Sequence, residues 1–319
     1  MTLLIWSVWY FVTYPNSLQT IIDNWPITLT MVFGSFIAGA TSEGGGAIAF
    51  PVFTKVLNIS PLDAKVFSLA IQSVGMMAAT FTIVCMRIAV EWRIVLWASI
   101  GGLLGVYLGS VLMAPFLPAN LLKMVFTAMI ASFALTLILV NWKQRQYNEM
   151  LPFIGWREQL ILVLAGIFGG IMTGLVGNGI DIICFSVMVL LFQLSEKVST
   201  ATSVVLMAFN SVAGFILHLM IIGGFTPVIR EYWLAAIPVV VIGAPLGAYF
   251  CTRLKNKTIA VILIMLILVE VISSLSLIPI TPSIASISSI VFLIFLFIYY
   301  QMNKVGGYRS NKITASVKK

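Results

Sequence analysis

Long runs without a single charge dominate this sequence. Val66–Met86, Ile94–Leu122, Met124–Trp142, Gln159–Ile180, Tyr232–Thr252 and Val271–Asn303 contain no Asp, Glu, Lys or Arg. Val198–Ile229 contains none either, and it holds His218, the single histidine. A helix crosses the hydrocarbon core of a bilayer with about 20 apolar residues, so each run predicts a span, and Asn24–Ser42 fits as well. Gly44–Thr54 and Ile182–Ser195 are too short and end in polar loops, which predicts broken or re-entrant helices. Thr258–Leu277 is a full span only with Glu270 inside it. Pro279 and Pro282 interrupt Val271–Asn303, so its second part is the span. Leu3–Tyr14, short and rich in Trp and Tyr, can cross or lie in the interface.

Composition excludes the soluble alternatives. Of 319 residues, 9% are charged and 61% hydrophobic, against roughly 25% charged in an ordinary soluble domain. Such a chain cannot cover its surface with polar groups. A soluble enzyme, a nucleic-acid binder and a disordered chain are ruled out, and an all-α polytopic helical membrane protein is expected. The net charge of +8 reads as Lys and Arg gathered in cytoplasmic loops, with no nucleic-acid partner. Residues 304–319, with Lys304, Arg309, Lys312, Lys318 and Lys319, are expected to form a basic cytoplasmic tail touching anionic lipid heads. A C-terminus inside puts Arg253, Lys255 and Lys257 inside, and counting back does the same for Lys143, Arg145, Arg157, Arg87 and Arg93. Cys85, Cys184 and Cys251 have no CxxC or CxxH spacing, so they read as packed free thiols with no metal site. A removed signal peptide is not expected, because no basic residue precedes the first apolar run.

A faint internal repeat divides the chain into residues 1–150 and 151–303. Gly39-Ala-Thr-Ser-Glu43-Gly44 resembles Gly174-Leu-Val-Gly-Asn178-Gly179, and each lies between an apolar helix and a short apolar segment. Phe67-Ser68 corresponds to Thr202-Ser203, and Gln72-Ser73 to Asn210-Ser211 after a slip of three residues. With an odd number of spans in each half, the halves would be inverted in the membrane. Paired broken segments at matching places point to a transporter's midplane site.

The glycine motifs, residues 39–51 and 174–181, are the sharpest features. Gly44, Gly45 and Gly46 do not continue a helix well, and open backbone at membrane depth survives only against protein or a water-filled cavity. Freed N–H groups at the start of the next half-helix, together with its dipole, suit an anion; Asn178 and Gly179 stand at the matching place. Close packing through small residues is the alternative. Gln72, Ser73, Asn210 and Ser211 are neutral donors able to hold an oxyanion without trapping it, or else to bond between helices. Glu43, Asp181, His218 and Glu270 are ionisable residues within or beside spans, where they are costly and usually face a polar path. Glu43 and Asp181 flank the breaks and either carry a coupling proton or cap backbone N–H groups. His218 and Glu270 read as packing residues, as do Met76 and Met77. No P-loop, no HExxH and no His-rich metal set is present, so neither a cofactor nor an enzymatic centre is expected.

On these residues the chain resembles a known family. The stretch Ala38-Gly-Ala-Thr-Ser-Glu-Gly-Gly-Gly-Ala-Ile-Ala-Phe-Pro51, then Ile59-Ser-Pro and Phe67-Ser-Leu-Ala-Ile-Gln-Ser-Val-Gly75, is similar to the sulfite exporter TauE/SafE family of permeases. Gly166 to Gly224, with Ala201-Thr202-Ser203, resembles the second repeat of that family. Glu43 stands where the family motif has an apolar residue or glycine, and Asn178-Gly179-Ile180-Asp181 replaces a full glycine triplet. The resemblance implies export of sulfite, a sulfonate or a related small anion across the cytoplasmic (inner) membrane. The expected substrate-binding set is Gly44, Gly45, Gly46, Gln72, Ser73, Asn178, Gly179, Asn210 and Ser211. Glu43, Asp181 and His218 are the candidates for coupling or structural roles. The partners expected are a small anionic substrate and membrane lipid. Rival readings are a permease for another small anion or a metal ion, a non-transporting membrane subunit, and an intramembrane enzyme.

Overall fold

The computed structural model describes residues 1–45, 49, 52–141, 147–151 and 155–317, and no strand occurs among them. Among the described residues twelve α-helices follow in chain order: α1 (Thr2–Thr13), α2 (Ser17–Asp23), α3 (Trp25–Ala40), α4 (Pro61–Cys85), α5 (Trp92–Tyr107), α6 (Ala119–Asn141), α7 (Trp156–Val176), α8 (Ile180–Ser186), α9 (Glu196–Leu217), α10 (Pro227–Arg253), α11 (Asn256–Leu277) and α12 (Pro282–Val317). Wider π-type turns continue α5, α8 and α9, and one more spans Val52–Val56. Eight helices among the described residues are long and apolar enough to cross a membrane, and α2 with α3, bent by 85°, make a possible ninth span. The protein is a polytopic helical membrane protein. Residues 304–317, expected as a tail, continue α12 as helix.

Local chemistry sets the boundaries. Ser60 accepts the Asp63 N–H at 3.1 Å and opens α4 just before Pro61. Ser195 accepts the Val198 N–H to open α9, and Thr226 the Ile229 N–H to open α10. Side-chain oxygens at these positions satisfy amides that a first helical turn leaves bare. The spacing repeats. α4 and α9 begin 135 residues apart, and so do α5 and α10. The same separation holds between the turns Val52–Val56 and Val187–Leu191, and between Gly44 and Gly179, both with positive φ.

Packing exchanges partners between these equivalents. α5 lies along α7 and α10 along α3, while α4 meets both α9 and α10. Glycine makes the close crossings possible. A Cβ at Gly101 would run into the Val163 carbonyl and one at Gly166 into that of Ala98; across the other crossing, Gly39 faces the Ala244 carbonyl and Gly247 that of Phe36. Small residues that bring backbones together are the usual basis of helix association in lipid, where the hydrophobic effect gives no preference for protein over lipid.

The first helix is explained by two prolines elsewhere. At 1.5 Å per residue α1 is only about 18 Å long, too short to span alone. Pro238 and Pro245 lie inside α10. Each lacks the N–H that would bond the carbonyl four residues earlier, which leaves Leu234 and Val241 with bare oxygens. Trp9 Nε1 donates to the Leu234 oxygen at 2.7 Å, and Thr2 Oγ1 donates to the Val241 oxygen at 3.3 Å. Trp6 Nε1 adds a bond to the Pro238 oxygen at 3.1 Å. Trp9→Phe keeps an aromatic side chain but removes the donor together with the pyrrole part of the indole, so it is expected to destabilise the fold by about 1–3 kcal/mol. Thermal unfolding in detergent, with Tyr10→Phe on the exposed face as control, measures this; equal midpoints for the two variants would contradict the assignment.

Candidate functional site

The two glycine breaks meet. α3 stops at Ala40, the chain turns through Gly44 at φ 72°, and Glu43 is buried with its backbone oxygen facing the second break. There, α7 stops at Val176, Gly177 takes the left-handed conformation at φ 96°, and Gly179 follows at φ 146° before α8 begins. Left-handed backbone just past a helix end is where glycine is least strained. Asn178 Nδ2 donates to the Glu43 backbone oxygen at 3.4 Å. The contact is close: a Cβ on Gly44 would stand 3.3 Å from Asp181 Oδ2.

Ending α7 inside the protein leaves its last carbonyls without partners, and α4 supplies them. Gln72 Nε2 donates to the Gly177 oxygen at 3.2 Å, Ser68 Oγ to the same oxygen at 3.4 Å, and Lys65 Nζ to the Gly174 oxygen at 3.2 Å. Ser110 Oγ also donates to the Gly174 oxygen. Gln72 further donates to Ser68 Oγ at 2.6 Å, while its Oε1 is buried with no hydrogen-bond partner.

The amides that open α8 are occupied. Asp181 Oδ1 accepts from the Gly179 N–H at 3.1 Å and from the Ile182 N–H at 2.9 Å, and Thr173 Oγ1 accepts from the Ile180 N–H at 2.9 Å. Of the two roles open for Asp181, its geometry is that of a cap. The second break therefore offers no bare amide at these three positions. Asp181 Oδ2 and Glu43 Oε2 are both buried and without a hydrogen-bond partner.

Beside the breaks lies a cavity bounded by α3, α4 and α10, which offers about 40 Å³ to the centre of a water-sized sphere. One such sphere needs roughly 10–15 Å³, so the space fits an ion of a few heavy atoms. Its polar lining is Ser35, Gly45, Ser68, Gln72, Asn178 and Lys123, and Phe53 and Phe67 close it with an edge-to-face contact at 4.9 Å.

The expected residues divide accordingly. Gly45, Gln72 and Asn178 line the cavity, and Gly44 and Gly179 form the turns beside it. Gly46 lies outside the described residues. Ser73 points away, bonding the Ala70 oxygen at 2.7 Å and lining an apolar groove under α1. Asn210 and Ser211 are fully buried on α9 and bond back to the Leu206 and Ala208 oxygens; Asn210 lies against Gly102 of α5. His218, buried with neither ring nitrogen hydrogen-bonded, packs against Gly224. Glu270, expected as packing, is paired with Lys123. Among the described residues no three His, Cys, Asp or Glu side chains cluster to hold a metal ion.

Lys123 went unnoticed as a site residue because it separates two charge-free runs and reads as a loop charge. The signal was available. Pro115 and Pro118 precede it, so the turn falls before Pro118 and Lys123 lies inside α6.

Two glycine-broken helices, capped from within, thus meet beside a small cavity whose mostly apolar wall carries a few polar groups. Residues 27–274 match the sulfite exporter TauE/SafE family, and the chain belongs to that family of membrane transporters. Neither a curated protein nor a solved structure matches the chain.

Asp181→Ala removes the acceptor for two buried amides and is expected to cost about 1–3 kcal/mol, with Asp181→Asn losing less. Unfolding of the purified protein in detergent reads both; an alanine variant as stable as the parent would show that the cap carries nothing.

Proposed function

We propose that the protein exports a small sulfur oxyanion, sulfite or an organosulfonate, across the cytoplasmic membrane by alternating access around this cavity. The observation that carries the reading is the cavity itself, set where the two breaks touch and lined by Gly45, Gln72, Asn178 and Lys123. Gln72 and Asn178 donate to the Ser68, Gly177 and Glu43 oxygens, so an oxyanion would have to take an N–H from those partners, which keeps its hold moderate and suits a carrier that must also release it. The family match supports a sulfur anion as cargo, and the cavity volume fits an ion of a few heavy atoms.

In this reading residues 1–150 and 151–303 are inverted repeats. The recurrent 135-residue separations and the exchange of packing partners support them. Rocking one pair of crossings against the other would open the cavity to each side in turn. The driving force needs no ATPase: an inside-negative potential favours outward movement of an anion by about 2.3 kcal/mol per charge per 100 mV. The protein acts as a carrier and performs no chemistry on its cargo. Asp181 and Glu43 serve the breaks, Asp181 as their cap, and Asn210, Ser211 and Ser73 bond back to carbonyls of their own helices.

Purified protein in liposomes, loaded with labelled sulfite or methanesulfonate, tests this. Saturable flux is expected, and its absence for every small sulfur anion tried would reject the function. Gln72→Ala is expected to lower flux at limiting anion about tenfold or more, since a hydrogen bond to a charged group is worth about 1.5–3 kcal/mol. Normal flux in that variant would reject the cavity as the site.

A further inference from the structure

Lys123 is the one charged residue among the described residues that line the cavity. It projects from the first turns of α6 and pairs with Glu270 of α11; their side chains are 5% and 1% exposed. Its ammonium also stands over the Phe126 ring, 5.5 Å from the centroid. The remaining carboxylates in this region are Glu43 of the first break and Asp181 of α8: Glu43 lies in the fields of Glu270, Asp181 and Lys123.

Two features set this ion pair apart from a structural latch. A buried pair that stabilises a fold needs further hydrogen bonds to the remaining oxygens and protons, yet neither carboxylate oxygen of Glu270 has a hydrogen-bond partner, and Lys123 holds it alone. The latch between α6 and α11 already exists one turn further along, where Thr127 Oγ1 donates to Ser274 Oγ at 2.9 Å. Glu270 thus places a carboxylate on the one cation among the described residues that line the cavity, in the way that an oxyanion guest would.

We propose that Lys123 is the counter-charge of the transported anion and that Glu270 is an internal stand-in, which occupies Lys123 in the empty site and is displaced when the anion binds. The proposal rests on the anion-carrier reading above and adds the residue that selects for negative charge. An ammonium is a point charge with three rotatable donors, so it can pass from one oxyanion to the other without a fixed fork geometry. The neutral donors Gln72 and Asn178 then orient the guest, and competition from Glu270 keeps its affinity low enough for release.

Equilibrium binding of sulfite and of methanesulfonate to the full-length protein in nanodiscs tests the assignment, with liposome flux run alongside. Glu270→Gln removes the competitor and is expected to tighten binding about tenfold or more while slowing release, so that flux falls. Lys123→Gln combined with Glu270→Gln removes both charges of the pair, strands neither partner as a lone ion, and is expected to weaken binding about tenfold or more relative to the parent. If Glu270→Gln alone fails to fold, the double variant decides. A folded double variant that binds within twofold of the parent overturns the role of Lys123, and a folded Glu270→Gln variant with unchanged or weaker affinity overturns that of Glu270. Either result, with the parent still carrying sulfite, sinks this inference alone. A parent that neither binds nor carries any such anion sinks the transport reading and this inference with it.

Discussion

A bilayer core supplies no water to a bare N–H or C=O, so every interruption of a helix must be satisfied from within the protein. That constraint organises the molecule. The carbonyls at the end of α7 are taken by Lys65, Ser68, Gln72 and Ser110, and the amides at the start of α8 by Asp181 and Thr173. The carbonyls freed by Pro238 and Pro245 are taken by Trp9 and Thr2 of a helix too short to serve as a span. Breaks supported in this way can stand at membrane depth and leave beside them a small space that is mostly apolar with a few polar groups.

The glycine motifs themselves carry fewer open amides than their sequence implies. Sequence suggested that open amides at the glycine motifs do the work. In the folded chain, the second motif's amides are spent on Asp181 and Thr173, and the cavity presents side-chain donors and one ammonium instead. Glycine at 44, 177 and 179 contributes through backbone shape: it lets two helices end face to face, so that Asn178 reaches the backbone of Glu43. Asp181 is turned toward its own helix start, and Glu270 is paired with Lys123.

Much of the fold was legible. Charge-free runs marked the long helices, glycine marked the two breaks, and the shared offset between Gly39–Gly44 and Gly174–Gly179 reappears in the helix starts. Faces were harder to read. In a helix that is apolar all round, amphipathic periodicity carries little information, so adjacent residues such as Gln72 and Ser73 could not be separated, although successive positions point about 100° apart. Asn210 matched Gln72 in kind, but it turns toward α5, because which face of α9 meets the cavity is decided by tertiary packing. Lys123 was hidden by the assumption that a lone charge between apolar runs marks a loop. The prolines before it place the turn earlier and the charge inside a helix.

The most direct test of a cavity between the breaks as an anion path is its accessibility. Ser68 lines the cavity next to Gln72, and a single cysteine there, with Cys85, Cys184 and Cys251 replaced, can be challenged with a negatively charged, membrane-impermeant thiol reagent in sealed liposomes. Labelling from the aqueous phase is expected to slow as methanesulfonate, which unlike sulfite does not consume the reagent, is added, with half-protection near the concentration that half-saturates its flux. A cysteine that never reacts, or that reacts at the same rate at every methanesulfonate concentration, would contradict a cavity between the breaks as the anion path.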